Sequence, residues 1–143
     1  MNIRITIAFI LVIANILFAH SFAPTGMMLT PVLLIIVTTL VCFKVTSINP
    51  IPLSLITYGL IALHDIGIKL YSGGSHDSQG LGWVHLLLFL GLVPSYVILV
   101  NSIFKDKELN RIEKLTAVFL FPVLIAGHLL LFGDLGLGLY YDI

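Results

Sequence analysis

An all-α bundle of five transmembrane helices is the fold class that this sequence predicts, and three observations carry the prediction. Hydrophobic residues make up 59% of the 143 residues and charged residues only 10%, where a soluble domain carries roughly a quarter charged. Mean hydropathy is +1.12. The apolar residues fall into runs close to the roughly 20 that a helix needs to cross about 30 Å of hydrocarbon, and the breaks between runs hold proline, glycine and polar residues. The chain reads as one transmembrane domain, 1–143, with no separate soluble unit.

The first span covers about Ile3–Phe22. Its basic start and the small residues of Ser21-Phe22-Ala23 also allow a cleaved signal peptide over residues 1–23, but the apolar stretch is long for one. Ala23-Pro24-Thr25-Gly26 sets off a second span, about Met27–Phe43, the shortest of the five unless it continues through Val45. Ser47-Ile48-Asn49-Pro50 ends in a proline suited to opening the third span, about Ile51–Tyr71. The polar Ser72-Gly73-Gly74-Ser75 leads to the fourth, about Trp83–Phe104, and the fifth covers about Leu115–Gly133. Pro94 and Pro122 lie inside the last two, where each removes a backbone hydrogen bond and favours a kink. In the Lys105–Lys114 connection, Lys107, Glu108, Arg111 and Glu113 can pair at helical spacing. The run Gly133-Asp134-Leu135-Gly136-Leu137-Gly138-Leu139 has no phosphate-loop pattern and reads as a fraying helix end or a close packing surface.

Basic residues set the orientation. Arg4, Lys44, Lys105, Lys107, Arg111 and Lys114 fall on one side of this layout and Lys69 alone on the other, so the N-terminus is expected in the cytoplasm and the C-terminus outside. Tyr71, Trp83, Tyr140 and Tyr141 then stand near the outer interface as amphipathic anchors. The same layout gathers all five histidines, His20, His64, His76, His85 and His128, on the outer side, with Asp65, Asp77, Asp134 and Asp142.

Some of these side chains are sunk in aliphatic helix. His64 and Asp65 stand roughly 10 Å below the interface at helical rise, where an ionisable group costs about 2.5 kcal/mol or more unless it is paired. Asp65 and Lys69, four apart, can neutralise each other, with Lys69 snorkelling outward. His128 lies alone in the fifth span at a similar depth. If the third and fifth spans are neighbours, His64 and His128 can face each other and share a transition metal or a haem iron. The candidate metal-ligating set is therefore His64, His128, His85, His20 and Asp65, and the candidate cofactor is a divalent transition metal or haem. No His-x-x-x-His or His-Glu-x-x-His pair supports it, and a hydrogen bond to a backbone carbonyl would satisfy each ring singly. His76 and Asp77 read as polar loop residues, and Asn15 as a polar group bonding to another helix.

Other chemistries are excluded by what the sequence lacks. One cysteine, Cys42, permits neither an internal disulfide nor a thiol relay. Seven basic and seven acidic residues leave no net charge for a nucleic-acid partner. No lysine lies mid-span for a Schiff base, and no serine sits in a nucleophile elbow. The function expected is a non-catalytic subunit or accessory protein of a membrane complex. Its partners would be the lipid bilayer and other membrane subunits or a second copy, met through small residues such as Gly59, Gly67, Gly91 and Gly127. The alternative is a membrane-embedded, metal- or haem-dependent protein performing hydrolysis or electron transfer with the outer histidines. Small-solute transport would call for more polar residues in the cytoplasmic half.

Overall fold

The computed structural model describes residues 3–43, 49–72, 76–105 and 110–139, which form helices with no strand among them. The helices are α1 (Ile3–Ser21), α2 (Thr25–Met28), α3 (Thr30–Cys42), α4 (Pro50–Tyr71), α5 (Ser78–Lys105) and α6 (Arg111–Phe132). Four of them, α1, α4, α5 and α6, are long and apolar enough to cross a membrane.

The expected second span is divided. A single turn, α2, ends at Leu29, whose N–H bonds back to Gly26 and Met27 carbonyls, and α3 begins at once with Pro31 in its first turn. There the missing proline N–H leaves no hydrogen bond unmade. With 13 residues α3 is the shortest of the long elements. Local chemistry accounts for the other boundaries. Asp77 starts α5 several residues before Trp83, its Oδ1 accepting from Gly80 N–H at 2.6 Å and its carbonyl from Leu81 N–H at 3.0 Å. Asn110 starts α6 by accepting from Ile112 N–H at 3.2 Å. Both helices run on through their internal prolines. Lys107 and Glu108 of the expected ion pairs, Lys44, the glycine pair after Ser72, and the anchors Tyr140 and Tyr141 lie outside the described residues.

Packing is centred on two pairs, α3 with α5 and α4 with α6, and α1 bridges α3 and α4. Gly91 lets α5 approach α3 closely, since a Cβ there would lie 2.9–3.1 Å from Pro31 and Leu34 atoms. The main core is aliphatic, with Val12, Leu34, Val37, Ile61 and Leu99 at its centre. Side-chain hydroxyls stitch the helices within it. Ser54 donates to Ala117 O at 2.9 Å, Tyr96 to Val118 O at 3.1 Å and Ser102 to Cys42 O at 3.1 Å. At one end Arg4 bonds Phe43 O and lies 5.0 Å from the centre of its ring. Toward the other, His20 end, the core becomes charged.

Candidate functional site

The site grows from the heptapeptide Leu63 to Lys69 of α4. Successive helical residues diverge by about 100°, so His64 and Asp65 address different neighbours. His64 turns to α1, where the Asn15 side-chain amide donates to its Nε2 at 3.0 Å. An amide nitrogen only donates, so Nε2 accepts and the proton of the neutral ring sits on Nδ1. The same Asn15 amide reaches the Gly26 carbonyl at 3.4 Å, tying α1 to the α2 turn. Gly26 is needed there, because a Cβ would stand 2.3 Å from the Ala19 backbone.

Asp65 turns to α6. Its Oδ2 lies 2.7 Å from Lys69 Nζ and 2.9 Å from His128 Nε2, so one carboxylate oxygen receives an ammonium from its own helix and an imidazole N–H from the next. Lys69 is 1% exposed. It does not snorkel, because two acceptors hold it inside: Asp65, and Phe132 O at 2.9 Å. Phe132 is the last residue of α6, where carbonyls lack helical donors and the helix dipole favours a cation. Rings of Tyr58 and Phe132 flank His128, at 6.2 and 5.2 Å between centroids. Three buried polar atoms of this cluster, His64 Nδ1, Asp65 Oδ1 and His128 Nδ1, have no hydrogen-bond partner among the described residues.

Residues 133–139 follow α6 in a series of turns that bring Gly136 back to the end of α4. Gly136 has φ +86°, and a Cβ on it would lie 2.1 Å from Lys69 O, so the segment presses directly on the α4 backbone. His76 holds it down. His76 Nδ1 lies 3.1 Å from Gly136 O, Nε2 lies 3.1 Å from Ser72 O, and His76 O accepts from Gly138 N–H at 2.7 Å.

The expected ligand set is only partly assembled. Asp65 and His128 are brought into contact, while His64 is turned to Asn15. His20 bonds Tyr71 O at 2.7 Å and stacks on the Tyr71 ring at 4.2 Å. His85, on α5, is half-buried, and its Nε2 has no partner among the described residues. Among those residues no group of three or more His, Cys, Asp or Glu side chains is placed to hold a metal ion. The Asp65–Lys69 pair and the interhelical bond of Asn15 are found as their positions predict. The sequence brings Asp65 near His128 only as a fellow candidate ligand and does not reveal the direct bond between them, the Phe132 carbonyl as a lysine acceptor, or the His76 contacts. Gly136 and Gly138 were the available signal for the last, as paired glycines that permit positive φ.

Compared with known proteins, the chain matches no family model, no curated protein and no solved structure.

Proposed function

We propose that this chain is an integral membrane protein of five spans with a cytoplasmic N-terminus, acting as a non-catalytic subunit of a membrane complex through the outer faces of α5 and α6. The fifth crossing would be α2 with α3. Thr25 to Phe43 extends to about 28 Å at 1.5 Å per residue, near the thickness of the hydrocarbon. The basic residues of the loops support the orientation. A single labelling experiment tests it: a cysteine at exposed Gln79 should react with an impermeant maleimide from outside, and reaction only after permeabilisation reverses the topology.

The observation that carries the subunit reading is the surface of α6. It is the least covered of the four long apolar helices, 17% buried over its most apolar stretch against 50% for α4. Phe119, Val123 and Leu130 are exposed on it, with the small residues Ala126 and Gly127 between them. A Cβ on Gly127 would meet nothing within 4 Å. Beside this face runs an apolar groove of about 310 Å³ between α5 and α6, lined by Phe89, Val93, Pro122, Ala126 and Leu129 among others. Small residues let helix backbones approach closely, and that packing drives association where lipid tails are as apolar as leucine. By contrast, Asp65, Lys69 and His64 bind other helices of the same bundle, which suits a scaffold. A photo-crosslinking amino acid at Val123 or Val93 should give discrete protein adducts in native membranes, and these should disappear with Gly127→Ile. Adducts to lipid alone at both positions would overturn the subunit reading.

A further inference from the structure

We propose that the neighbour at this surface is a second copy of the chain, packed parallel to the first about a two-fold axis beside α6, so that Ile112, Thr116, Phe119, Val123, Ala126 and Leu130 meet the same residues of the copy. The inference rests on the subunit reading and names its partner. The six positions alternate in steps of four and three, which keeps them on one helix face. They run about 27 Å at 1.5 Å per residue, close to the thickness of the hydrocarbon. Ile112, Phe119, Val123 and Leu130 are 65–87% exposed, whereas Ala117, Phe121 and His128 bury the opposite face in the bundle. A groove of about 490 Å³ lies among the side chains from Ile112 to Val123, open to a side chain entering from outside.

Spacing alone does not separate a helix seam from a stripe that faces lipid, since α5 exposes Trp83, Leu86, Leu90, Val93 and Val97 in the same rhythm. Composition does. The α5 stripe is wholly large and apolar, as lipid tails favour, while the α6 stripe carries a hydroxyl at Thr116 and a small residue at Ala126, with Gly127 beside it. Small residues let two helix backbones approach closely. Thr39 and Thr57 return their hydroxyls to carbonyls four residues back in their own helices, but Thr116 makes no hydrogen bond among the described residues. A hydroxyl both donates and accepts, so Thr116 beside a two-fold axis is its own complement. The charges point the same way. Arg111 and Glu113 are exposed, about 100° to either side of Ile112, and neither has an ion-pair partner among the described residues. Two residues apart on one helix, they do not face each other. A two-fold rotation sets Arg111 of each copy beside Glu113 of the other and makes both pairs at once. An antiparallel copy would instead place Arg111 level with Leu130, and an acyl chain offers nothing to either charge or to Thr116.

Disulfide formation between single introduced cysteines, in the full chain and in native membranes, tests it, with the buried Cys42 of the unaltered chain as background. Phe119→Cys, Val123→Cys, Ala126→Cys and Leu130→Cys should each give a crosslinked dimer. Leu131→Cys, also exposed but about 100° off the seam, should not. Arg111→Glu and Glu113→Arg, each alone, should weaken association about tenfold by energy transfer between labelled chains in liposomes, the scale of two exposed ion pairs reversed. Mixed together, the two variants should associate with each other as the wild-type chain does. That rescue requires reciprocal pairing, which neither damage to the fold nor chance collision supplies. Equal crosslinking at Leu131 and on the seam, or wild-type association in both single variants, overturns the proposal. A photo-crosslinker at Val123 that captures only a different polypeptide also overturns it and leaves the subunit reading standing, whereas capture of lipid alone from both Val123 and Val93 overturns the two together.

Discussion

The centre of this bundle and its His20 end are joined by different physics. Around Leu34, Val37, Ile61 and Leu99 the helices meet through aliphatic surface, supplemented by hydroxyls donating to neighbouring carbonyls. Toward His20 a small apolar cluster of Ala19, Met27, Ile68 and Val84 remains, but α1, α4 and α6 are joined there by bonds between named partners among Asn15, His64, Asp65, Lys69, His128 and Phe132 O. In a bilayer the aliphatic contacts gain little from burial as such, because lipid tails offer equivalent surroundings, and their contribution is close packing. The polar contacts have no equivalent in lipid. A helix can slide along a leucine seam with modest loss, but it cannot take Lys69 away from Asp65 and Phe132 O without leaving a charge alone. The aliphatic centre therefore supplies bulk contact, and the charged end fixes which face of α4 meets α6.

The strongest break of this comparison is Asp65→Asn. It leaves the Lys69 ammonium buried with no counter-charge, and removing one member of a buried pair costs about 3–5 kcal/mol. Unfolding of the purified chain in lipid or detergent should show that loss, and the double change Asp65→Asn with Lys69→Met should recover most of it. If the two single changes are harmless and additive, the charged end contributes no specificity and the contrast fails.

Gly26→Ala comes next and tests whether the charged end also depends on close backbone approach. The added Cβ would meet the Ala19 backbone, which cannot rotate away as a side chain can. Overpacking of that kind costs about 1–3 kcal/mol, and separating α1 from α2 also pulls the Gly26 carbonyl from Asn15. Gly67→Ala is the control. Its Cβ meets the Ile16 side chain, chiefly the flexible Cδ1 end, so thermal stability should drop less than for Gly26→Ala.

At the aliphatic centre, Leu99→Ala should cost about 2 kcal/mol, the low end for core truncations in water, because lipid removes most of the transfer part and leaves the cavity. Leu99→Met, which conserves volume, should cost less than about 1.5 kcal/mol. A loss for Leu99→Ala as large as that for Asp65→Asn would show that packing outweighs ion pairing in holding the helices together.

What could be read from the sequence divides along the same line. The long helices are legible because aliphatic runs of sufficient length have few other places to go, and the Asp65–Lys69 pair is legible because four residues along a helix bring two side chains to one face. The break at Leu29 is hidden by Met27-Met28-Leu29, apolar residues that continue the hydrophobic pattern, although Pro31 marks the new start. The Asp65–His128 link joins residues 63 apart in the chain, and periodicity carries no information about which helices become neighbours. The His76 contacts were less legible still. Their acceptors are backbone carbonyls, which every residue has, so only the fold singles out Ser72 and Gly136.

The smallest expected effect is the most informative about the surface of α6. Glycine inside a helix is less favourable than alanine by about 0.5–1 kcal/mol, and a Cβ on Gly127 meets no atom of the bundle. Gly127→Ala should therefore raise the stability of the isolated chain by up to about 1 kcal/mol, and Gly127→Ile should not lower it. The two faces of α6 can then be separated experimentally. On the buried face, carrying His128, any enlargement disturbs the bundle itself; on the face carrying Gly127, enlargement disturbs only what packs from outside. Thermal unfolding of the purified chain reports the first effect, and crosslinking from Val123 in native membranes reports the second. Unaltered stability together with lost protein adducts in Gly127→Ile places a neighbouring helix on Gly127. Unaltered stability with unaltered adducts means that the neighbour packs elsewhere on the α5 and α6 surface and not on this glycine.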